Sequence, residues 1–285
     1  MIDPMNEVTL PLVSVLTTVY NREAYLAECI ESILASTYSN FELIIVDDRS
    51  KDNSVRIAND YAARDSRIRV FVNESNLGDY PNRNKAASLA QGKYLKYVDA
   101  DDYIYPWGLD LLVTMMEQFP EAGWGLCSLD QASDRPFPFV LDPASIYEYN
   151  YLGAGLFHKA PLSSIIRRDV FDEAGGFALS RMTGDFEFWH RLGLVYKLLL
   201  MPHGIVWSRE HDGQEVKSRH EFIGKYEEIS VKYLSSPDCP LGAKERKDIL
   251  RRMKKARVVQ FVKALLKLRT KAVKDNWNCL RLYHA

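Results

Sequence analysis

Short apolar runs bounded by polar clusters alternate with stretches of helical period through the first half of the chain. VSVLTTV (Val13 to Val19) is rich in β-branched residues and reads as a buried strand, after which Leu26, Ile30, Ile33 and Leu34 recur at helical spacing. The unit repeats. FELIIV (Phe41 to Val46) precedes a helix around Val55 to Ala63, and IRVFV (Ile68 to Val72) precedes a loop and a helix near Asn84 to Ala90. YLKYV (Tyr94 to Val98) then leads through an acidic cluster to a helix from Trp107 to Phe119. Such alternation predicts an α/β fold, a doubly wound and mostly parallel sheet with flanking helices and ligands at the carboxyl ends of its strands.

Beyond Phe119 the pattern loosens. GWGLCSL reads as a further strand, whereas DRPFPFVLDPASIYEYNYLGAG (residues 134–155), rich in Pro and aromatics, reads as a surface loop over the site. Regular elements return at SSIIRRDVFDEAGGF, at a helix over GDFEFWHRLGLV and at short strands in YKLLLM and GIVWSR. From about Glu215 the chain reads as helical, with one long basic segment from Ala243 to Lys274. The division expected is an α/β domain over 1–212 and a helical C-terminal extension over 213–285.

Composition narrows the class. With 285 residues, 47% of them hydrophobic, the chain can bury one sizeable core. The opening residues lack a basic start followed by a long apolar run, and no stretch of about 18 uncharged apolar residues occurs. Neither secretion nor a membrane span is expected. The four cysteines, Cys29, Cys127, Cys239 and Cys279, are scattered without the short paired spacings of zinc or redox sites, as expected of reduced thiols in a cytoplasmic protein. The net charge of −1 conceals a division: from Lys244 onward there are 14 Lys plus Arg against 3 acids, a balance of +11, while the rest carries −12.

The candidate chemistry lies at the predicted strand ends. No G-x-x-x-x-G-K-[ST] loop and no G-x-G-x-x-G turn occurs, so a nucleotide would have to be held by side chains and a metal. Thr18, Tyr20 and Asn21, then Asp47 and Asp48, then Asp99, Asp101 and Asp102 end the first, second and fourth strands and converge on one sheet edge. Clustered carboxylates repel one another and call for a cation. A pair of them can bridge through Mg²⁺ or Mn²⁺ to phosphate oxygens; alternatively Asp101 and Asp102 cap the helix that follows.

VSVLTTVYNREAYLAECIESILASTYSNFELIIVDDRSKDNS and NLGDYPNRNKAASLAQGKYLKYVDADD resemble the inverting family 2 glycosyltransferases of the GT-A fold, with N-x-G, R-N-x-A, A-x-G and D-x-D segments in order. The similarity continues to GGF and GDFEFWHRL and covers roughly residues 11 to 212. It implies a nucleoside pocket with Thr18 and Tyr20, Tyr20 lying against the base, and Asp48 accepting a hydrogen bond from a base N–H. It places Arg83 near the diphosphate, Asp99 on the ribose or a metal-bound water, and Asp101 on a Mn²⁺ or Mg²⁺ ion. His211 in SREHDGQ matches an R-x-H segment that approaches the metal or the diphosphate; an ordinary loop histidine is the alternative.

An inverting transfer also needs a base that takes the acceptor proton. The resemblance places it at Asp185, although Gly184 stands where the family usually has Glu. An aspartate before a helix is also a common N-cap, and the helix N-terminal field would help keep it ionised. Glu187 reads as an acceptor contact or a solvated helix residue, His190 as packing, and His158 as a residue that could meet acceptor sugar. GGF, from Gly175 to Phe177, predicts a tight turn bringing backbone close to a sugar. Among Tyr103, Tyr105, Trp107 and Trp124, those beside the acidic cluster could stack on sugar rings.

Between Lys244 and Lys274, Ile249, Met253, Ala256, Val259, Val262, Ala264, Leu265, Leu266 and Leu268 fall near helical periods among Lys and Arg. Such a helix either packs one face on the body or lies on an anionic membrane surface, at the inner face of the membrane. No readout motif accompanies the basic stretch, so nucleic acid is not expected as a partner. The expected function is metal-assisted transfer of a sugar from a nucleoside diphosphate sugar, UDP-linked as most often in the family, to a glycan or lipid-linked saccharide hydroxyl with inversion. A nucleotidyltransferase and a catalytically silent sugar-nucleotide or glycan-binding protein remain as alternatives.

Overall fold

The computed structural model describes residues 10–130, 132, 134–212 and 221–284. The described residues form two compact units: the first takes those up to Val140, Ala160–Gly176 and Leu199–Arg209, and the second takes Leu141–Lys159, Phe177–Leu198 and the described residues from Glu210 onward.

The chain begins with the predicted alternation. In order come β1 (Val13–Val19), α1 (Leu26–Leu34), β2 (Phe41–Asp47), α2 (Ser54–Ala62), β3 (Ile68–Val72), α3 (Asp79–Ser88) and β4 (Tyr94–Tyr97). Then come β5 (Tyr103–Ile104), α4 (Gly108–Gln118), β6 (Ala122–Leu126), β7 (Phe139–Leu141), α5 (Pro143–Leu152), β8 (Ser164–Arg167) and α6 (Arg168–Glu173). The remainder is α7 (Gly184–Val195), β9 (Lys197–Leu200), β10 (Val206–Trp207), α8 (Ile223–Ser235), α9 (Ala243–Leu266) and α10 (Thr270–Arg281). β1, β2, β3 and β4 are mutually parallel in the order β3-β2-β1-β4, and β8 enters antiparallel between β4 and β6. Every residue of β2 and nearly every residue of β1 is buried, because helices cover both faces of a parallel sheet. Register places Thr18 opposite Val46 and Val19 opposite Asp47, so the carboxyl ends of β1 and β2 stop level with each other.

Gly92 shows how tightly the turn before β4 packs. A Cβ there would lie 2.6 Å from the Ser14 amide nitrogen and 2.7 Å from the Leu12 carbonyl oxygen, so only glycine fits against β1. Lys96, in the middle of β4, is wholly buried. Its Nζ donates to the carbonyls of Leu162 and, at 3.1 Å, Ser164, and burial lowers its pKa to about 8.

Three expectations are corrected. Residues 134–155 are not a loop throughout: β7 and α5 occupy much of the stretch, with Asp142 capping α5 by accepting from Ser145 N at 2.8 Å and Pro143 at its first position. Burial of Ile146 and Tyr147 outweighs the loop-like composition. The helix expected near Asn84 begins earlier, at Asp79, because Gly78 (φ 86) turns the chain directly into it. The basic segment is two helices, not one. Leu268 adopts φ 51, the left-handed region, and the chain turns from α9 into α10 without Gly or Pro. The start expected for the helical region, at Glu215, lies outside the described residues.

In the second unit α8, α9 and α10 are joined by polar groups. Glu227 of α8 pairs with Arg257 of α9 (Nε to Oε2, 2.7 Å) and accepts from Tyr283 OH, and Arg257 also donates to Asn276 of α10 at 2.9 Å. No described helix is long and apolar enough to cross a membrane.

Candidate active site

The loops that follow β1 and β2 interlock. Asn21 N donates to Ser50 Oγ at 2.9 Å, Lys51 N donates to Asn21 Oδ1 at 2.8 Å, and both Asn21 (φ 51) and Arg49 (φ 68) hold left-handed backbone. Positive φ at non-glycine residues costs energy and persists where neighbours over-determine it, which is common at functional sites. Thr18 is half-buried near the end of β1, and the Tyr20 ring is exposed beside it.

Asp48, just past β2, is buried and fixes the loop that leads into α3. Its Oδ1 accepts from Leu77 N and Asn73 Nδ2, both at 2.8 Å, and its Oδ2 accepts from Gly78 N at 2.9 Å. Asn73 donates on to Asn82 Oδ1 of α3 at 2.8 Å, and Asn82 donates to the Val46 carbonyl at 3.1 Å. Asp48 thereby orients the start of α3, whose first turn carries Asp79 and whose second carries Arg83.

Arg83 reaches from α3 to the end of β4. Its Nε donates to Asp79 Oδ1 at 2.7 Å and an η nitrogen to Asp99 Oδ1 at 2.6 Å. Burial works against the guanidinium charge, but Asp79 and Asp99 more than offset it and hold the pKa well above the ordinary value. The neighbouring Asp101 carboxylate accepts from Arg22 Nε at 2.9 Å, and Arg22 is held by its own amide on Ser54 Oγ at 2.9 Å. Asp102 faces inward and takes Arg209 N on Oδ1 at 2.9 Å, while Arg209 Nε donates to the Asp101 carbonyl at 3.0 Å. Burial first, and Asp99 second, push Asp102 up to about 7. The short ladder of β5 with β10 delivers Arg209 to this place, and Arg209 also pairs with Glu28 at 2.6 Å.

Thr18, Tyr20, Asp48, Arg83, Asp99 and Asp101 thus occupy one edge of the sheet in the first unit. Arg22 and Arg209 are the site residues that sequence reasoning missed. Their partners lie 79 and 108 positions away in the chain. Asp102 is an inward anchor for Arg209 N, and α4 starts only at Gly108, so the helix-cap reading of the cluster does not hold.

The donor set suits a hard divalent cation. Asp99 and Asp101 present carboxylate oxygens from side chains 20% and 15% exposed. Among the described residues no group of three or more His, Cys, Asp or Glu converges as a self-contained metal cage. Mg²⁺ and Mn²⁺ sites that share their ion with phosphates need only one or two protein carboxylates, so the pair fits such an ion.

The second unit holds Asp185 and His211. α7 begins at Gly184 after Thr183, which places Asp185 in the first helical turn and corrects its reading as N-cap; its Oδ1 accepts from Phe186 N at 2.7 Å. Glu187 is not a solvated residue. It pairs with Arg191 at 2.8 Å and accepts from Tyr233 OH at 2.5 Å. His190 is buried packing, as expected, and His158 stacks on Phe186 with ring centroids 4.7 Å apart. His211 is partly buried, two residues beyond Arg209. In the first unit, Gly175 and Gly176 both have positive φ, and the close approach at Gly176 is to protein. A Cβ there would come within 2.7 Å of Asn84 Oδ1 on α3. Tyr105 and Trp107 stack face to face at 5.2 Å beside the acidic cluster, and Trp124 is core.

Comparison with known proteins agrees with this architecture. Residues 14–175 match the family Glycosyl transferase family 2. Glycosyltransferase GlyG of Streptococcus pneumoniae is 27% identical over 249 residues, 81% of each chain. The uncharacterized glycosyltransferase EpsJ of Bacillus subtilis is 40% identical over 126 residues, 44% of this chain but only 36% of its own length. Among solved structures, S. aureus TarS in complex with UDP-GlcNAc superposes with a TM-score of 0.65 at 20% identity, covering 83% of this chain and 70% of TarS. The mannosyltransferase PcManGT from Pyrobaculum calidifontis, in complex with GDP-Man and Mn²⁺, gives 0.64 at 15% identity over 97% of this chain and 85% of its own. With more than half of its length matched by the family and its sheet shared with these structures, the chain belongs to glycosyl transferase family 2 and has the GT-A fold.

Proposed function

We propose that this glycosyltransferase moves a sugar from a nucleoside diphosphate donor, UDP-linked, to a hydroxyl of a glycan or lipid-linked saccharide, with inversion and with a divalent metal. The observation that carries the reading is the convergence of Tyr20, Asp48, Arg83 and the Asp99–Asp101 pair at the carboxyl ends of β1, β2 and β4 in a family 2 chain. TarS was solved with UDP and UDP-GlcNAc, which supports a uridine nucleotide here. In this reading residues 1–212 handle donor and catalysis, and 213–285 form the extension.

Thr18 and the exposed Tyr20 ring receive the nucleoside, and Asp48 accepts from the base N–H while holding its loop. Arg83 lies ready for the diphosphate, and Asp99 for the ribose. Asp101 would hold Mn²⁺ or Mg²⁺, with Asp99 on the ribose or a metal-bound water. The chemistry such an ion supplies is neutralisation of the charge that grows on the departing diphosphate. Asp185 accepts the proton of the acceptor hydroxyl as its oxygen attacks the anomeric carbon from the face opposite the leaving group. The bond from that carbon to the diphosphate oxygen breaks, and its electron pair leaves with the nucleoside diphosphate. Peripheral attachment at the inner face of a membrane completes this account of where the protein works.

The test is release of nucleoside diphosphate from a panel of nucleotide sugars, with wild type and Asp185→Asn. One donor is expected to be consumed, with Asp185→Asn binding it normally while turnover falls by roughly 100-fold or more, the scale of a lost general base. Pyrophosphate release from a nucleoside triphosphate would instead make the protein a nucleotidyltransferase. Donor binding without turnover in either form would make it a silent binder.

A further inference from the structure

The C-terminal hairpin of α9 and α10 carries an apolar face on its solvent side. The side of α9 that faces α8 and α10 carries the half-buried Arg257 in its network with Glu227 and Asn276, beside the buried Ala264. Val258, Val259, Val262, Leu265 and Leu266 lie together on the outward side, at helical spacings of one, three, four and seven, and all are exposed. At the turn Leu266 is 79% and Leu268 87% exposed, and on α10 Trp277 is 55% exposed with its ring 5.8 Å from Phe261. Between the helices opens an apolar pocket of about 460 Å³, lined by Phe261, Leu265, Val273 and Trp277 among others. Helices of water-facing protein surfaces place such residues inward, so this face is built for something other than water.

The charge pattern says what that is. Between Asp248 and Asp275 the chain carries ten Lys or Arg and no acid. Lys255, Lys263, Lys267, Arg269, Lys271 and Lys274 are all exposed around the apolar face. A second copy presenting the same face would bring like charges together, whereas an anionic lipid headgroup layer complements the cations and the acyl boundary complements the leucines. A tryptophan at the junction of apolar and polar surface suits the same boundary.

We infer that the α9–α10 hairpin is a docking surface for an anionic lipid bilayer, with Leu266, Leu268 and Trp277 entering the headgroup–acyl boundary and the surrounding Lys and Arg engaging lipid phosphates. Attachment of this kind combines buried apolar area with electrostatic attraction and requires no spanning helix. The inference gives the peripheral attachment proposed above its surface and rests on no part of the sugar-transfer chemistry, since it concerns only α9 and α10.

The test is co-sedimentation of the full chain with vesicles of phosphatidylcholine alone and of phosphatidylcholine mixed with phosphatidylglycerol. Two variants accompany wild type: Leu266→Ser/Leu268→Ser, and Lys267→Glu/Arg269→Glu/Lys271→Glu/Lys274→Glu. All the altered side chains are exposed, and thermal melting confirms that each variant folds. Wild type is expected to bind the anionic vesicles only. The charge variant should lose at least two orders of magnitude in binding, at about five-fold per cation near the surface, and the leucine variant should also bind more weakly. No binding to anionic vesicles, or equal binding by wild type and the charge variant, overturns the inference. Unchanged binding by the leucine variant overturns the insertion of the turn. Self-association of wild type that the leucine variant abolishes, without vesicle binding, would make the face a contact between copies of this chain.

Discussion

Arg22 Nε lies 2.9 Å from Asp101 Oδ2, so the carboxylate proposed to bind metal is held by a guanidinium from the loop after β1. Arg22 is kept there by its own amide on Ser54 and by donation to the Tyr20 and Asn21 carbonyls. The opposing charge that clustered aspartates require is supplied in part by arginines, Arg22 on Asp101 and Arg83 on Asp99. A divalent cation at Asp101 must compete with the first of these.

Arg22→Ala is therefore expected to tighten Mn²⁺ binding to the donor-free protein by up to about five-fold, the ~1 kcal/mol of a partly exposed ion pair. An electron paramagnetic resonance titration of free Mn²⁺ reads it. Unchanged affinity would mean that the pair does not compete with the ion.

Asp48 is expected to stabilise the fold as well as to serve the nucleotide. Asp48→Ala removes the acceptor for Leu77 N, Gly78 N and Asn73 Nδ2. Stranded buried donors cost about 1–3 kcal/mol each, so a loss on the order of 3 kcal/mol should appear as a lower urea midpoint. Full stability in Asp48→Ala would show that the loop is held by other groups.

Gly92→Ala would drive a methyl into the β1 backbone, where contacts of 2.6 and 2.7 Å leave no room. The expected cost is roughly 1–3 kcal/mol, seen as a lower melting temperature, because both neighbouring atoms belong to main chain and cannot rotate away.

His190 gives a pH dependence. Its Nδ1 donates to the Phe186 carbonyl at 2.7 Å, so the neutral ring carries its proton there and Nε2 accepts from Tyr151 OH at 2.7 Å. Burial lowers its pKa to about 3. The unfolded chain, with an ordinary histidine, binds the proton more readily, so stability is full above about pH 6.5 and is lost progressively as pH falls from there towards 3. His190→Gln should flatten that part of the stability–pH curve. A curve unchanged by the substitution would place the acid sensitivity elsewhere.

The strands that position the site were legible because β1, β2 and β4 are short runs buried on both faces and β3 is a short apolar run at the sheet edge, patterns that local sequence carries. α7 was legible from its apolar spacing over the same residues it occupies. α5 was not, since its aromatic and Pro-rich composition resembles a loop, although Asp142-Pro143 followed by Ser145 is a helix-start signal that could have found it. The break at Leu268 carries no Gly or Pro to announce it. Arg22 and Arg209 were illegible because their roles come from pairing across the fold. No spacing along the chain encodes that.

The central claim is that the aspartates ending β4 serve a nucleoside diphosphate through a divalent ion. Calorimetric titration of UDP and GDP into wild type and Asp101→Ala, with and without Mn²⁺, tests it most directly. The account predicts Mn²⁺-dependent binding of one nucleoside diphosphate, lost in Asp101→Ala while the variant stays folded. Equal binding by the variant, or no binding of either nucleotide by wild type, would contradict it.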